Sequence, residues 1–274
     1  MSRKYKVGFI GCGNMGSAML KGLIASEKVA VSELAAAEKF EASKEKIRTL
    51  GVDVLDSNAD LVKDSDVIFL VVKPYQQEEV YPDIRENLQP DQILVSVAAG
   101  VSLSTVEQAC ISIDVAGRIK VVRAMPNTPA LVGEGMTALA LNANMTKEDA
   151  DLILSYFNSF GKAQIVPESM MDVVTGLSGS SPAFVYMMIE AMADAAVYEG
   201  MPRTQAYEFA AQTVRGAASM VLETGEHPGA LKDAVCSPGG TTIEGVRALE
   251  DASFRSAVMD GVCAATEKSK EMGK

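Results

Sequence analysis

The sequence predicts an α/β fold in two parts, a doubly wound and mostly parallel sheet followed by an all-α region. Three observations predict it. Short apolar runs alternate with helical patterns over the first part of the chain. One of these runs, Lys6-Val7-Gly8-Phe9-Ile10, leads through Gly11-Cys12-Gly13-Asn14-Met15-Gly16 into an amphipathic stretch from Ser17. Beyond residue 166 nothing reads as β.

The expected strands are 7–10, 34–37, 52–55, 67–72, 93–97, 120–124 and 136–141, with 163–166 as a last one. Several are unbroken apolar runs, as strands buried on both faces require. Helical patterns such as 42–50 and 103–110 lie between them, so the crossovers are right-handed and ligands bind beyond the carboxyl ends of the strands. The later half reads as helices at 170–177, 183–199, from Pro202 to Thr224, 231–235, 242–249 and 254–270. The stretch 183–199 is apolar nearly all round, broken by Glu190 and Asp194. A helical domain of this size cannot cover such a helix alone, so a second subunit is expected against it. The methionines, 15 in all, fall mostly within these helices and read as core filling.

The glycine run is a Rossmann-type phosphate-binding fingerprint. Gly11 allows the tight turn, Gly13 lets a pyrophosphate approach the backbone, and Gly16 lets the helix pack on the strand. The helix start offers unpaired N–H groups to the phosphates. Glu38, at the end of the second strand, stands where an acid can take the ribose hydroxyls of NAD(H); Lys39 beside it can instead take a 2′-phosphate. The choice between NADPH and NADH stays open. Lys73, before Pro74, is held extended; it either walls the cofactor or simply leaves the strand. Asn127, between two prolines, either bonds the cofactor or turns the loop.

A second glycine loop, Ser237-Pro238-Gly239-Gly240-Thr241-Thr242, enters a helix near the other end of the chain. Converging N–H groups there, those of Gly240 and Thr241, suit a carboxylate, and a simple helix cap is the alternative. The division expected is a dinucleotide-binding domain at 1–162 and an all-α domain for substrate binding and dimerisation at 163–274.

Composition bounds the rest. The net charge of −11 argues against nucleic acid and against an anionic membrane surface. Four cysteines without paired spacing and a single histidine point to no metal site and no disulfide framework. No leader or transmembrane-length apolar run is read, so a reducing cytoplasm is expected.

The chain resembles the pyrroline-5-carboxylate reductases. The resemblance is carried by Phe9-Ile10-Gly11-Cys12-Gly13-Asn14-Met15, Val71-Val72-Lys73-Pro74, Val97-Ala98-Ala99-Gly100-Val101, Asn127-Thr128-Pro129, Val174-Thr175-Gly176-Leu177-Ser178-Gly179-Ser180-Ser181-Pro182-Ala183, His227-Pro228-Gly229, Leu231-Lys232-Asp233 and Ser237-Pro238-Gly239-Gly240-Thr241-Thr242-Ile243. It implies an NAD(P)H-dependent reduction of a cyclic imine to proline, with NADP(H) or NAD(H) as cofactor. It also implies interlocked homodimers, five of which can form a ring, and an active site partly supplied by the partner subunit.

Cofactor contacts then map onto Ile10, Gly11, Cys12, Gly13, Asn14 and Met15, onto Asn58, onto Val71, Val72, Lys73 and Pro74, and onto Val97, Ala98, Ala99 and Asn127. Substrate contacts map onto Val235, Ser237, Gly239, Gly240, Thr241 and Thr242, with Glu168 as a further candidate. Thr242 is the candidate catalytic residue, its hydroxyl orienting the ring nitrogen. Many members have alanine at Thr241, and the stretch 33–41 matches the family poorly. The glycine loop offers Ser and Thr but no His, Lys or Tyr. That fits an imine, which can be protonated before hydride arrives, better than a ketone. Two rivals are a β-hydroxyacid dehydrogenase and a non-catalytic NADPH-sensing regulator. The first needs a lysine on a helix of the second domain, and none occurs from Ser169 to Met220. The second has no need of the Ser237–Thr242 loop.

Overall fold

The computed structural model describes residues 3–112 and 117–273. The strands are β1 (Tyr5–Ile10), β2 (Leu34–Ala37), β3 (Asp53–Leu55), β4 (Ser65–Leu70), β5 (Ile93–Ser96), β6 (Lys120–Met125), β7 (Gly135–Leu141) and β8 (Gly161–Ile165). They form one sheet in the order β3-β2-β1-β4-β5-β6-β7-β8. All neighbours are parallel except β6 and β7. The helices between them are α1 (Asn14–Ala25), α2 (Glu41–Thr49), α3 (Asn58–Asp64), α4 (Pro74–Asn87), α5 (Leu103–Cys110) and α6 (Lys147–Phe157).

The pleat divides the side chains between two cores. On one face Phe9, Phe69, Phe157 and Phe160 form a chain of ring contacts at 4.9, 5.7 and 5.4 Å, packed with Met19, Leu20 and Leu23 of α1. On the other, Ile10, Ile68 and Leu70 meet Leu61 of α3, Ile84 of α4 and Val106 of α5. Both faces are covered, which is why the strands read as unbroken apolar runs. The order reverses at β1–β4, the switch point beyond whose carboxyl ends such sheets bind ligands.

Contacts divide the chain into two compact units. One holds the residues up to Ser180 together with those from Ala265 on; the other is Ser181–Ala264. The expected boundary at 162/163 therefore falls inside the first unit and cuts through β8. That strand pairs with β7 from Gly135↔Gly161 to Leu139↔Ile165, which ties it to the sheet.

The regular helix expected at 170–177 is instead a short α7 (Met171–Val174) followed by a π-helical segment, Thr175–Ser180. Hydroxyls there bond back to main-chain carbonyls: Thr175 Oγ1 to Met171, Ser178 Oγ to Val174 and Ser180 Oγ to Thr175. Such bonds compete with the regular ladder.

The second unit contains α8 (Ser181–Tyr198), α9 (Arg203–Thr224), α10 (Pro228–Val235), α11 (Thr241–Asp251) and most of α12 (Phe254–Met272). Its own core is small: Ala193, Ala206 and Ala210, with Ile189, Ala196, Val197 and Met201 partly buried against them. Large apolar side chains stand open, among them Met187 at 68 % and Phe209 at 65 % exposure.

Candidate active site

The cleft begins where β1 ends. Gly11 takes a left-handed φ of 87°, so the chain turns sharply, and its N–H donates to the Ala37 carbonyl at 3.0 Å. A Cβ on Gly16 would stand 2.6 Å from the Gly11 carbonyl oxygen, so only glycine lets α1 approach this loop so closely. A Cβ on Gly13 would meet no protein atom within 4 Å. Its smallness serves open space in front of the loop, which is what a pyrophosphate needs. Gly13 is also the N-cap of α1 and brings no side-chain cap, so the first N–H groups of that helix have no side chain in front of them. The cradle therefore fits a dinucleotide.

Around it lies a cleft of about 850 Å³. Ile10, Gly11, Gly13, Asn14 and Met15 line its first side, Val71, Val72, Lys73 and Pro74 its second, and Val97, Ala98 and Ala99 a third; Glu38 and Asn58 also border it. These segments converge because they are successive strand ends. Val71 N–H donates to Ile10 O at 2.9 Å and Val97 N–H to Leu70 O at 3.1 Å, carrying the ladder one residue past β4 and β5. Lys73 is extended at φ −62°, ψ 149°, and Pro74 opens α4.

Two expected residues do not line the cleft. The Cys12 side chain is buried, and burial first, then the nearby Glu38 carboxylate, pushes its thiol up to about 12. Its N–H donates to Glu38 Oε2 at 2.7 Å. Asn127 uses its amide internally, donating to Ser178 O at 3.0 Å and accepting from Met136 N–H at 2.9 Å; its neighbours Pro126 and Thr128 line the cleft instead. Asn58 lines it but donates to Asp83 Oδ2 at 3.0 Å. The sequence reading missed Phe40, Ser43, Lys44, Asp56 and Glu79 on the cleft wall. Phe40, Ser43 and Lys44 follow directly on Glu38, so the β2 carboxyl end itself was the signal.

The second glycine loop lies in the second unit. Gly239 adopts φ 67°, and a Cβ on Gly240 would sit 2.3 Å from Ser237 Oγ. Gly240 is the N-cap of α11, with no side-chain cap. The reading that paired the Gly240 and Thr241 N–H groups needs one correction. Gly240 N–H donates to Ser237 O at 3.1 Å, closing the turn. The donors without a helix carbonyl to reach are those of Thr241, Thr242 and Ile243 in the first turn. Ser237, Gly239, Thr241, Thr242 and Val235 are exposed. Glu168 belongs to the first unit. Its Oε1 accepts the Leu103 N–H at 2.6 Å and pairs with Arg123 Nη1 at 3.4 Å, tying the start of α5 to β6. His227 caps α10, its Nδ1 accepting from Gly229 N–H at 3.0 Å.

Residues 168–272 match the family model for pyrroline-5-carboxylate reductase dimerisation, and residues 6–100 that for NADP oxidoreductase, coenzyme F420-dependent. The pyrroline-5-carboxylate reductase of Escherichia coli (strain K12) is 50 % identical over 98 % of both chains. That of Arabidopsis thaliana is 40 % identical over 100 % of this chain and 97 % of its own.

The chain belongs to the pyrroline-5-carboxylate reductase family.

Solved structures of the family agree. The Coxiella burnetii pyrroline-5-carboxylate reductase superposes with a TM-score of 0.91 at 30 % identity, covering 99 % of both chains. The Plasmodium falciparum pyrroline carboxylate reductase, solved with NADP bound, gives 0.86 at 34 % identity over 100 % of both. Membership makes the chain an NAD(P)-dependent oxidoreductase with a Rossmann-type domain and a dimerisation domain, hence a homo-oligomer. The β-hydroxyacid dehydrogenase and sensor alternatives are not favoured. Among the described residues, no helix is long and apolar enough to cross a membrane.

Proposed function

We propose that the protein reduces the C=N bond of 1-pyrroline-5-carboxylate to give L-proline, the last step of proline biosynthesis, in the cytoplasm. The observation that carries this reading is the uncapped first turn of α11 behind the Gly239-Gly240 turn, an anion site made of main chain, in a chain of this family.

The Gly11–Gly16 loop and the start of α1 would hold the pyrophosphate of the dinucleotide. Glu38 would face the adenosine ribose, while the main chain of Val71 to Pro74 and Val97 to Ala99 would wall the nicotinamide end. When bound, the reduced nicotinamide supplies a hydride. The N–H groups of Thr241 and Thr242 hold the substrate carboxylate, with Ser237, Gly239 and Gly240 shaping the turn and Val235 flanking it. The Thr242 hydroxyl orients the ring nitrogen. No strong acid is required of the protein, because the imine nitrogen takes up its proton before the carbon is attacked. Positioning of this kind is worth ~7–11 kcal/mol of barrier. With its carboxylate engaged by Leu103 and Arg123, Glu168 acts on the site by holding the β5–α5 segment. In this reading the first unit serves the cofactor and Ser181–Ala264 the substrate and the dimer, and five dimers close into a ring.

Oxidation of NADH and of NADPH, followed spectrophotometrically with pyrroline-5-carboxylate, tests the reaction. Turnover with neither, or turnover of 3-hydroxy acids with NAD(P)+ instead, would overturn it. Native mass spectrometry checks the ring: a mass of two subunits alone would remove it.

A further inference from the structure

Glu38 stands at the carboxyl end of β2, beside the switch point. Its carboxylate is fixed on both oxygens: Oε2 accepts the Cys12 N–H at 2.7 Å, and Oε1 accepts those of Lys39 at 2.8 Å and Phe40 at 3.0 Å. It borders the cleft on the same rim as Phe40, Ser43, Lys44, Asp56 and Glu79. In a sheet of this topology that rim is where the adenosine ribose lies.

A ribose diol donates hydrogen bonds, and a carboxylate can only accept them. A 2′-phosphate carries close to two negative charges and no donors of use, so it meets Glu38 as a like charge. Relief would have to come from cations on the same rim. Among the described residues, no arginine lines the cleft. Lys39 pairs with Glu79 at 3.3 Å and Lys44 with Glu41 at 3.7 Å. Asp56 adds a further acid.

Resting on the reading that this cleft holds the dinucleotide, we propose that Glu38 determines cofactor choice and sets it toward NADH. NADP(H) still enters, as in the family, but with the weaker fit.

Two variants separate charge from loop support. Glu38→Gln keeps an acceptor of the same length and removes the charge; Glu38→Ser removes both. Dissociation constants for NAD+ and NADP+, and for ADP-ribose and its 2′-phosphate, are measured by calorimetry alongside kcat/KM for NADH and NADPH. The wild type should favour the nucleotides without the 2′-phosphate. The NADP+/NAD+ affinity ratio should rise roughly tenfold to hundredfold in E38S, the range for a lost charged hydrogen bond, with E38Q moving the same way by tightening NADP+. A wild type that prefers NADP+, or a ratio unmoved in both variants, overturns the proposal while leaving the cleft a dinucleotide site. If neither nucleotide binds the wild type, the dinucleotide reading falls and the proposal with it.

Discussion

At the residue scale, glycines identical in composition do different work, and their surroundings say which. A Cβ at Gly13 collides with nothing, whereas one at Gly16 meets a main-chain oxygen at 2.6 Å. Gly13→Val should therefore leave the thermal midpoint close to that of the wild type and abolish NAD(P)H binding. Gly16→Val should lower the midpoint as well, which thermal unfolding with and without dinucleotide would show. Equal destabilisation by both changes would contradict the assignment. In the second glycine loop, Gly240→Val drives a side chain into Ser237 Oγ. Substrate binding should vanish while NAD(P)H binding persists; loss of both would point to misfolding. Thr242→Ala should lower kcat/KM by about 1–3 kcal/mol, the cost of one unmade buried hydrogen bond, and unchanged kinetics would remove Thr242 from the site.

At the element scale, the strands were the most legible part of the chain. Residues 34–37 and 103–110 came out at their structural bounds because burial on both faces, and a Ser102 N-cap accepting from Thr105 N–H at 3.1 Å, leave plain marks in sequence. Helices α3 and α4 left fainter ones. One is seven residues long, and the other carries Pro82 and a largely polar surface. The π segment was invisible, since hydroxyl-to-carbonyl bonding has no periodic signature. The conformational roles of Gly11 and Gly16 in the turn after β1 could be read from the sequence; the turn bond that occupies Gly240 N–H could not, because it depends on where the Ser237 carbonyl points.

Helix α6 also offers a pH test. Burial pushes the Asp149 carboxyl up, but donors from Lys120 and from the Thr146 N–H and hydroxyl outweigh it, leaving it below the usual carboxylate range. A depressed folded value means stability that is present above the ordinary range of about 4 and lost as pH falls through it. Asp149→Asn should therefore cost stability near neutrality and flatten the acid limb of a urea-unfolding series. An unaltered acid limb would show that the pair contributes nothing.

At the scale of the whole molecule, the second unit cannot account for itself. Its buried core amounts to three alanines, while Met187 and Phe209 stand more than half exposed. These residues lie within the stretch 168–272 that matches a dimerisation domain, so a second copy laid over them would resolve this. Met187→Glu should shift sedimentation toward the single chain and lower the thermal midpoint; an unchanged assembly would place the interface on another face.

The final turns of α12 return to the first unit, where Ser269 Oγ donates to Asp172 at 2.7 Å and Met272 lies against Gly100. Gly100 directly follows the Ala98-Ala99 wall of the cleft. A truncation that removed these turns of α12 would therefore not be silent. The shortened polypeptide would lose the backing of that wall, even though every residue lining the cleft had already been translated.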